Sequence, residues 1–139
     1  MSPKDRPPHG EDAPGLAKSP GRRVLIIEDD EDGRETLRLL LELQGHDVDV
    51  AATGRQGATL ALETRPDVVL VDIGLPDVDG YAVAREIRAR APVAPLLVAL
   101  TGYGASADRQ QALEAGFDAH LVKPIEPGTL ARLLADSQP

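Results

Sequence analysis

Val68-Val69-Leu70-Val71-Asp72 is the stretch on which the fold turns: four aliphatic residues in a row, closed by a carboxylate. A strand with one wet face alternates apolar and polar residues, whereas a strand covered on both faces reads as an unbroken apolar run. Two further runs have the same character, Val24-Leu25-Ile26-Ile27 and Leu96-Leu97-Val98-Ala99-Leu100. The three are expected to be the central strands of a parallel sheet. Asp47-Val48-Asp49-Val50-Ala51 alternates charge with apolar residues and is expected at one edge, with Ala119-His120-Leu121-Val122 at the other.

Helical patterns fill the intervals, which makes five strands and five helices in repeated βαβ order, an α/β domain. Asp30 is the expected N-cap of the first helix, which carries Leu37, Leu40 and Leu41 and stops at Gly45. Thr53-Gly54-Arg55-Gln56 reads as a capping box, and Pro66 ends the helix that follows it. A third helix spans about Gly80 to Arg90 and buries Val83 and Ile87. A fourth starts near Ser106 and stops at Gly116, and the fifth has Pro127 in its first turn ahead of Leu130, Leu133 and Leu134.

The chain has 139 residues, enough for one domain with one core. Residues 1–22 hold five of the 12 prolines and almost no apolar content, so they are expected to form a disordered tail ahead of a folded domain at 23–139. With 15 Lys plus Arg against 23 Asp plus Glu the formal charge is -8, which repels a phosphate backbone and argues against a direct nucleic-acid partner. Only Tyr81, Tyr103 and Phe117 are aromatic, which removes base-stacking platforms. The absence of Cys excludes disulfides and thiol chemistry, and His9, His46 and His120 have no metal-ligand spacing. His9 falls in the tail and His46 reads as a surface loop residue. No apolar run approaches the roughly 18 residues needed to span a bilayer, and no signal peptide opens the chain, so no membrane association and a cytoplasmic location are expected.

In an open parallel sheet, ligands bind beyond the carboxyl ends of the strands. The residues there are Glu28-Asp29-Asp30, Asp72, Thr101 and Lys123-Pro124. Carboxylates gathered at one rim repel each other unless a cation intervenes, and oxygen ligands alone favour Mg²⁺, Mn²⁺ or Ca²⁺. A carboxylate beside such an ion can act as the nucleophile of phosphoryl transfer, with Lys123 and the Thr101 hydroxyl stabilising equatorial oxygens. The combination describes an aspartyl-phosphate site.

These motifs resemble the receiver domains of two-component response regulators over residues 23 to 130. Val24 to Asp29 is similar to the family's first strand with its acidic pair. Val69-Leu70-Val71-Asp72-Ile73-Gly74-Leu75-Pro76 resembles its phosphoacceptor strand and loop, Asp77 to Gly80 that loop's continuation, and Leu121-Val122-Lys123-Pro124 its lysine motif. The resemblance implies a flavodoxin-like sheet of five parallel strands, order 2-1-3-4-5, with helices on both faces. It implies that Asp72 accepts phosphate, that Glu28, Asp29, Asp72 and the Gly74 carbonyl serve Mg²⁺ (or Mn²⁺) with Asp29 the direct ligand of the acidic pair, and that Thr101 and Lys123 contact the phosphoryl group. A cis Lys123-Pro124 bond is also implied. The family places an aromatic switch residue three positions before the lysine, and here that position is His120.

The implied function is a phosphoacceptor in a two-component system or phosphorelay. It is a signalling domain rather than an enzyme, one that promotes its own phosphorylation and autodephosphorylation. Its donor is a sensor or hybrid histidine kinase or a phosphotransfer protein. The chain ends soon after Pro127, so output to a downstream protein target is expected through contacts of the receiver itself, on its fourth helix, fifth strand and fifth helix.

The same residues admit competing readings. A constitutive interaction module that needs no phosphorylation is the main alternative, and the intact set of site residues argues against it. A metal-dependent phosphohydrolase of the haloacid type wants a second Asp two residues after the first, where Gly74 stands. Gly102-Tyr103-Gly104-Ala105-Ser106-Ala107 matches a relaxed dinucleotide pattern, but it follows the fourth strand and faces carboxylates that would repel a pyrophosphate. Asp77-Val78-Asp79-Gly80 lacks the later Glu of a calcium loop and reads as a turn leading into a helix cap.

Overall fold

The computed structural model describes residues 21–102 and 109–136. The elements run β1 (Arg23–Ile27), α1 (Glu31–Leu43), β2 (Asp47–Ala51), α2 (Gly54–Thr64), β3 (Val68–Asp72), α3 (Gly80–Arg90), β4 (Leu96–Thr101), α4 (Arg109–Ala115), β5 (Ala119–Val122) and α5 (Pro127–Asp136). The tail expected over residues 1–22, save its last two residues, and the start of the fourth helix near Ser106 lie outside the described residues. All pairings are parallel and the order is β2-β1-β3-β4-β5. The expected topology and both edge strands are therefore borne out.

The unbroken apolar runs are explained by the layers on either side of the sheet. Alternate residues of each central strand enter two different cores. Leu25, Ile27, Val69, Val71, Leu97 and Ala99 pack with Ala58 and Ala61 of α2, Val83, Ala84 and Ile87 of α3, and Ala112 and Ala115 of α4. Val24, Ile26, Val68, Leu70, Val98 and Leu100 pack with Leu37 and Leu41 of α1 and Leu130 and Leu134 of α5. The close approach of α2 depends on a glycine, because a Cβ at Gly57 would lie 2.5 Å from Ile27 Cγ1.

The caps set where each helix starts above the rim. Asp30 accepts from Gly33 N at 2.8 Å, Thr53 from Gln56 N at 3.1 Å, and Asp79 from Ala82 N at 2.8 Å, each serving a backbone donor of the first turn. Gln56 Oε1 accepts from Ala52 N at 3.2 Å, one residue before the cap, so only the Thr53 half of the expected capping box forms. Arg65, just ahead of Pro66, ends α2 in the left-handed region with φ 52°.

At the opposite end of the sheet two expectations need correcting. Arg22, assigned to the tail, is only 9% exposed, and its backbone exchanges hydrogen bonds with the α1–β2 connection: Asp47 N donates to Arg22 O at 2.9 Å, and Arg22 N donates to His46 Nδ1 at 3.0 Å. His46 is thus a half-buried acceptor rather than a free loop side chain. Among the described residues no helix is long and apolar enough to cross a membrane.

Candidate functional site

Because all five strands are parallel, their carboxyl ends share one rim. Glu28 and Asp29 follow the last residue of β1, Asp72 closes β3, Thr101 closes β4, and Lys123 follows β5. Lys123 N donates to Thr101 O at 2.8 Å, which extends the β4–β5 ladder by one step and fixes where the lysine leaves the sheet. The Lys123-Pro124 bond is cis, as expected.

The side chains converge. Glu28 is 2% exposed and Asp72 8%, while Asp29 faces solvent. One carboxylate oxygen from each of the three lies within 4.8 Å of the others. Lys123 Nζ stands 2.6 Å from Glu28 Oε1, 95 positions away in sequence, and 3.6 Å from Asp72 Oδ1. Glu28 Oε2 accepts from Asp30 N at 3.1 Å, and Asp72 Oδ1 accepts from Gly74 N at 3.1 Å.

Burial lifts the Asp72 carboxyl above its ordinary range and the adjacent Glu28 carboxyl adds to the shift, while Gly74 N–H and Lys123 oppose it. For Lys123 burial works the other way, but the hydrogen bond to Glu28 and the charge of Asp72 together outweigh it, so the ammonium is held more firmly than usual. The cluster is short of positive charge. Three hard oxygen donors with no soft ligand among them fit a divalent cation of the Mg²⁺ class, whose charge would offset the repulsion among them.

The structure brings together Glu28, Asp29, Asp72, Gly74 and Lys123, and sets Thr101 beside them, one residue beyond the Asp72–Leu100 pair of β3 and β4. The Thr101 hydroxyl is buried and donates to Leu121 O at 3.4 Å. His120 is the second residue of β5, paired with Ala99 two residues before Thr101, and its side chain is exposed.

Sequence reasoning missed two residues that shape the site. Arg34 Nη1 donates to Glu28 O at 3.1 Å and to Asp29 O at 3.5 Å, bracing the loop that carries the acidic pair. The available signal was an arginine one turn into the helix that follows the acidic residues. Asp77 Oδ1 and Oδ2 accept from Gly54 N at 2.8 Å and Arg55 N at 3.0 Å, tying the β3–α3 loop to α2. No local pattern announces a cap supplied by another loop.

Comparison with known proteins places this geometry. The model of the response regulator receiver domain matches residues 24–135. Transcriptional regulatory protein AfsQ1 of Streptomyces coelicolor is 42% identical over 113 residues, which is 81% of this chain and 49% of AfsQ1. This chain thus spans about half the length of that relative. Among solved structures, a response regulator from Chloroflexus aurantiacus superposes with a TM-score of 0.78 at 30% identity, covering 84% of this chain and 96% of that one. The receiver domain of a sensor histidine kinase from Pseudomonas aeruginosa, which has a magnesium ion coordinated in its active site cleft, gives 0.76 at 33% identity, with the same coverage. With its order of strands, its acidic cluster and these matches, the chain belongs to the response regulator receiver domain family.

Proposed function

We propose that this receiver takes a phosphoryl group onto Asp72 from the phosphohistidine of a sensor or hybrid histidine kinase or a phosphotransfer protein, and that it signals by a change of surface. One observation carries the reading: Asp72, buried and raised, stands beside an acidic pair and within 3.6 Å of a lysine held at the same rim. Asp29, Asp72 and the Gly74 carbonyl are the candidates to hold Mg²⁺. Glu28, engaged with Lys123 at 2.6 Å, serves from behind them. When bound, Mg²⁺ supplies charge that lets Asp72 approach an anionic phosphoryl group as a carboxylate.

The residues' own roles follow from their positions. An Asp72 oxygen attacks phosphorus and forms the acyl phosphate bond. The P–N bond of the donor breaks, and the imidazole leaves with its electron pair. Lys123 turns from Glu28 and Asp72 toward the new oxygens, and the Thr101 hydroxyl exchanges its long bond to Leu121 O for one of them. Water later cleaves the acyl phosphate. Movement of Thr101 and the exposed His120 on β5 then biases the region around α4 and β5 between two packings. The acidic charge disfavours contact between this receiver and a phosphate backbone.

Amide shifts recorded with Mg²⁺ and a beryllofluoride phosphoryl mimic test the reading. Residues 101–108 and 117–125 should respond together with residues 72–80. Silence across all three segments would favour a phosphorylation-independent module.

A further inference from the structure

Asp77 stands in the β3–α3 loop outside the acidic cluster. Both of its carboxylate oxygens leave the loop for α2, accepting from the N–H groups of Gly54 and Arg55, 23 and 22 positions away in sequence. These are the first two residues of α2, whose amides have no intrahelical acceptor. The amide of Gln56 is already served by Thr53, so α2 has a local cap, and Asp77 takes the two donors that this cap leaves. The two N–H bonds, that of Gly54 first, hold the Asp77 carboxyl below its usual range.

The loop is bound at three places. Gly74 N donates to Asp72 Oδ1 at 3.1 Å at its start, Gly80 N donates to Ile73 O at 3.1 Å at its close, and Asp77 fixes its middle to α2. The close is tight, since a Cβ at Gly80 would lie 2.6 Å from Asp72 O. The contact with α2 is equally close: a Cβ at Gly54 would meet Val78 O at 3.2 Å and Val83 Cγ2 at 3.0 Å. Gly74, the proposed carbonyl ligand, is itself exposed and held only through its N–H on Asp72 Oδ1, so the aim of its carbonyl depends also on what holds the rest of the loop.

We propose that Asp77 is a positioning residue of the phosphoryl-transfer site: by tying the loop that carries Gly74 to the N-terminus of α2, it sets Mg²⁺ affinity and the rate of phosphoryl uptake while touching neither ligand. The proposal rests on the function argued above. Its effect travels through the backbone from Asp77 to Gly74, as a residue behind a ligand governs the ligand's aim.

The test uses the full chain with Mg²⁺ alone as the probe, titrated by amide shifts, alongside thermal midpoints and adduct formation from a small phosphodonor. Asp77→Ala should weaken Mg²⁺ binding about tenfold, in line with loss of outer-shell support, and slow adduct formation. Asp77→Asn keeps one acceptor oxygen and should fall between Ala and wild type. It also carries the test if the Ala variant does not fold. Thr53→Ala, which removes the other cap of α2, should lower the midpoint and leave Mg²⁺ affinity at the wild-type value. The proposal is overturned if Asp77→Ala lowers the midpoint yet binds Mg²⁺ as tightly as wild type, or if Thr53→Ala weakens binding equally. A wild-type Mg²⁺ response that Asp29→Asn leaves unchanged would instead overturn the proposed function, and this inference with it.

Discussion

Replacing Lys123 with Met keeps the length of the side chain and removes its charge, and the consequence can be worked from the pair it makes with Glu28. Nζ and Oε1 are 2.6 Å apart, the Glu28 side chain is 2% exposed and that of Lys123 35%. Breaking a fully buried pair by deleting one partner costs about 3–5 kcal/mol, whereas exposed pairs contribute about 0–1. Here the carboxylate is buried but its partner is partly wet, so water can enter the vacated position and recover part of the solvation. The expected loss in the metal-free protein near neutral pH is about 2 kcal/mol. Asp72 Oδ1, 3.6 Å from the same ammonium, loses its compensation too. Burial and Glu28 already raise the Asp72 carboxyl, so the folded state takes up a proton before the unfolded chain does as pH falls. Protonation relieves the repulsion, and the penalty of Lys123→Met should shrink as the pH falls through the raised titration of Asp72. Adding Glu28→Gln removes the orphaned charge and should restore about 1 kcal/mol. Urea denaturation of the single and double variants in chelator reads all of this. A single variant within about 0.5 kcal/mol of wild type, or a double variant no more stable than the single, would refute the reasoning.

Other positions make their own predictions. Gly57→Ala should lose about 1 kcal/mol, because crowding of Ile27 exceeds the gain in helix propensity, while Gly128→Ala, whose Cβ would meet only Arg132 Nη1 at 3.6 Å, should gain about 0.5; paired denaturation curves check the signs. Arg88 donates from Nε and Nη2 to Gly116 O at 2.8 and 2.6 Å, from Nη1 to Pro95 O at 3.1 Å, and from Nη2 to Asp118 Oδ2 at 2.6 Å. Arg88→Ala should cost about 2 kcal/mol, with amide exchange accelerating most at residues 116–118. Burial, reinforced by the charge of Arg22, holds the His46 imidazole below its ordinary range, so the unfolded chain protonates first on acidification. Stability from His46 is therefore complete above about pH 6.5 and lost below it, and His46→Gln should flatten that part of a stability–pH curve.

The fold was legible where local pattern and tertiary burial say the same thing. The runs at Val24, Val68 and Leu96 are apolar because both faces of each strand are covered, and that condition can be met only in the middle of a layered sheet. Asp30, Thr53 and Pro127 mark helix starts through chemistry confined to one turn. The rim of the site could be read because each of its residues follows a strand end directly. What escaped was side-chain pairing across long stretches of chain. Lys123 with Glu28, Asp77 with α2 and Arg88 with Gly116 join residues 95, 22–23 and 28 positions apart, and nothing periodic encodes their meeting. Arg22 was misplaced for a related reason. Its neighbours are prolines and glycines, while the partner that orders it, the α1–β2 connection, lies 24 residues away.

The central claim, that Asp72 is the phosphoacceptor of a Mg²⁺-dependent site, is tested most directly by intact-mass measurement with peptide mapping after incubation with a small phosphodonor. The wild-type protein should gain one phosphoryl group, localised to the peptide containing Asp72, only when Mg²⁺ is present. Folded Asp72→Asn should gain none. An adduct of undiminished yield in Asp72→Asn, or one that forms equally well in chelator, would contradict the account.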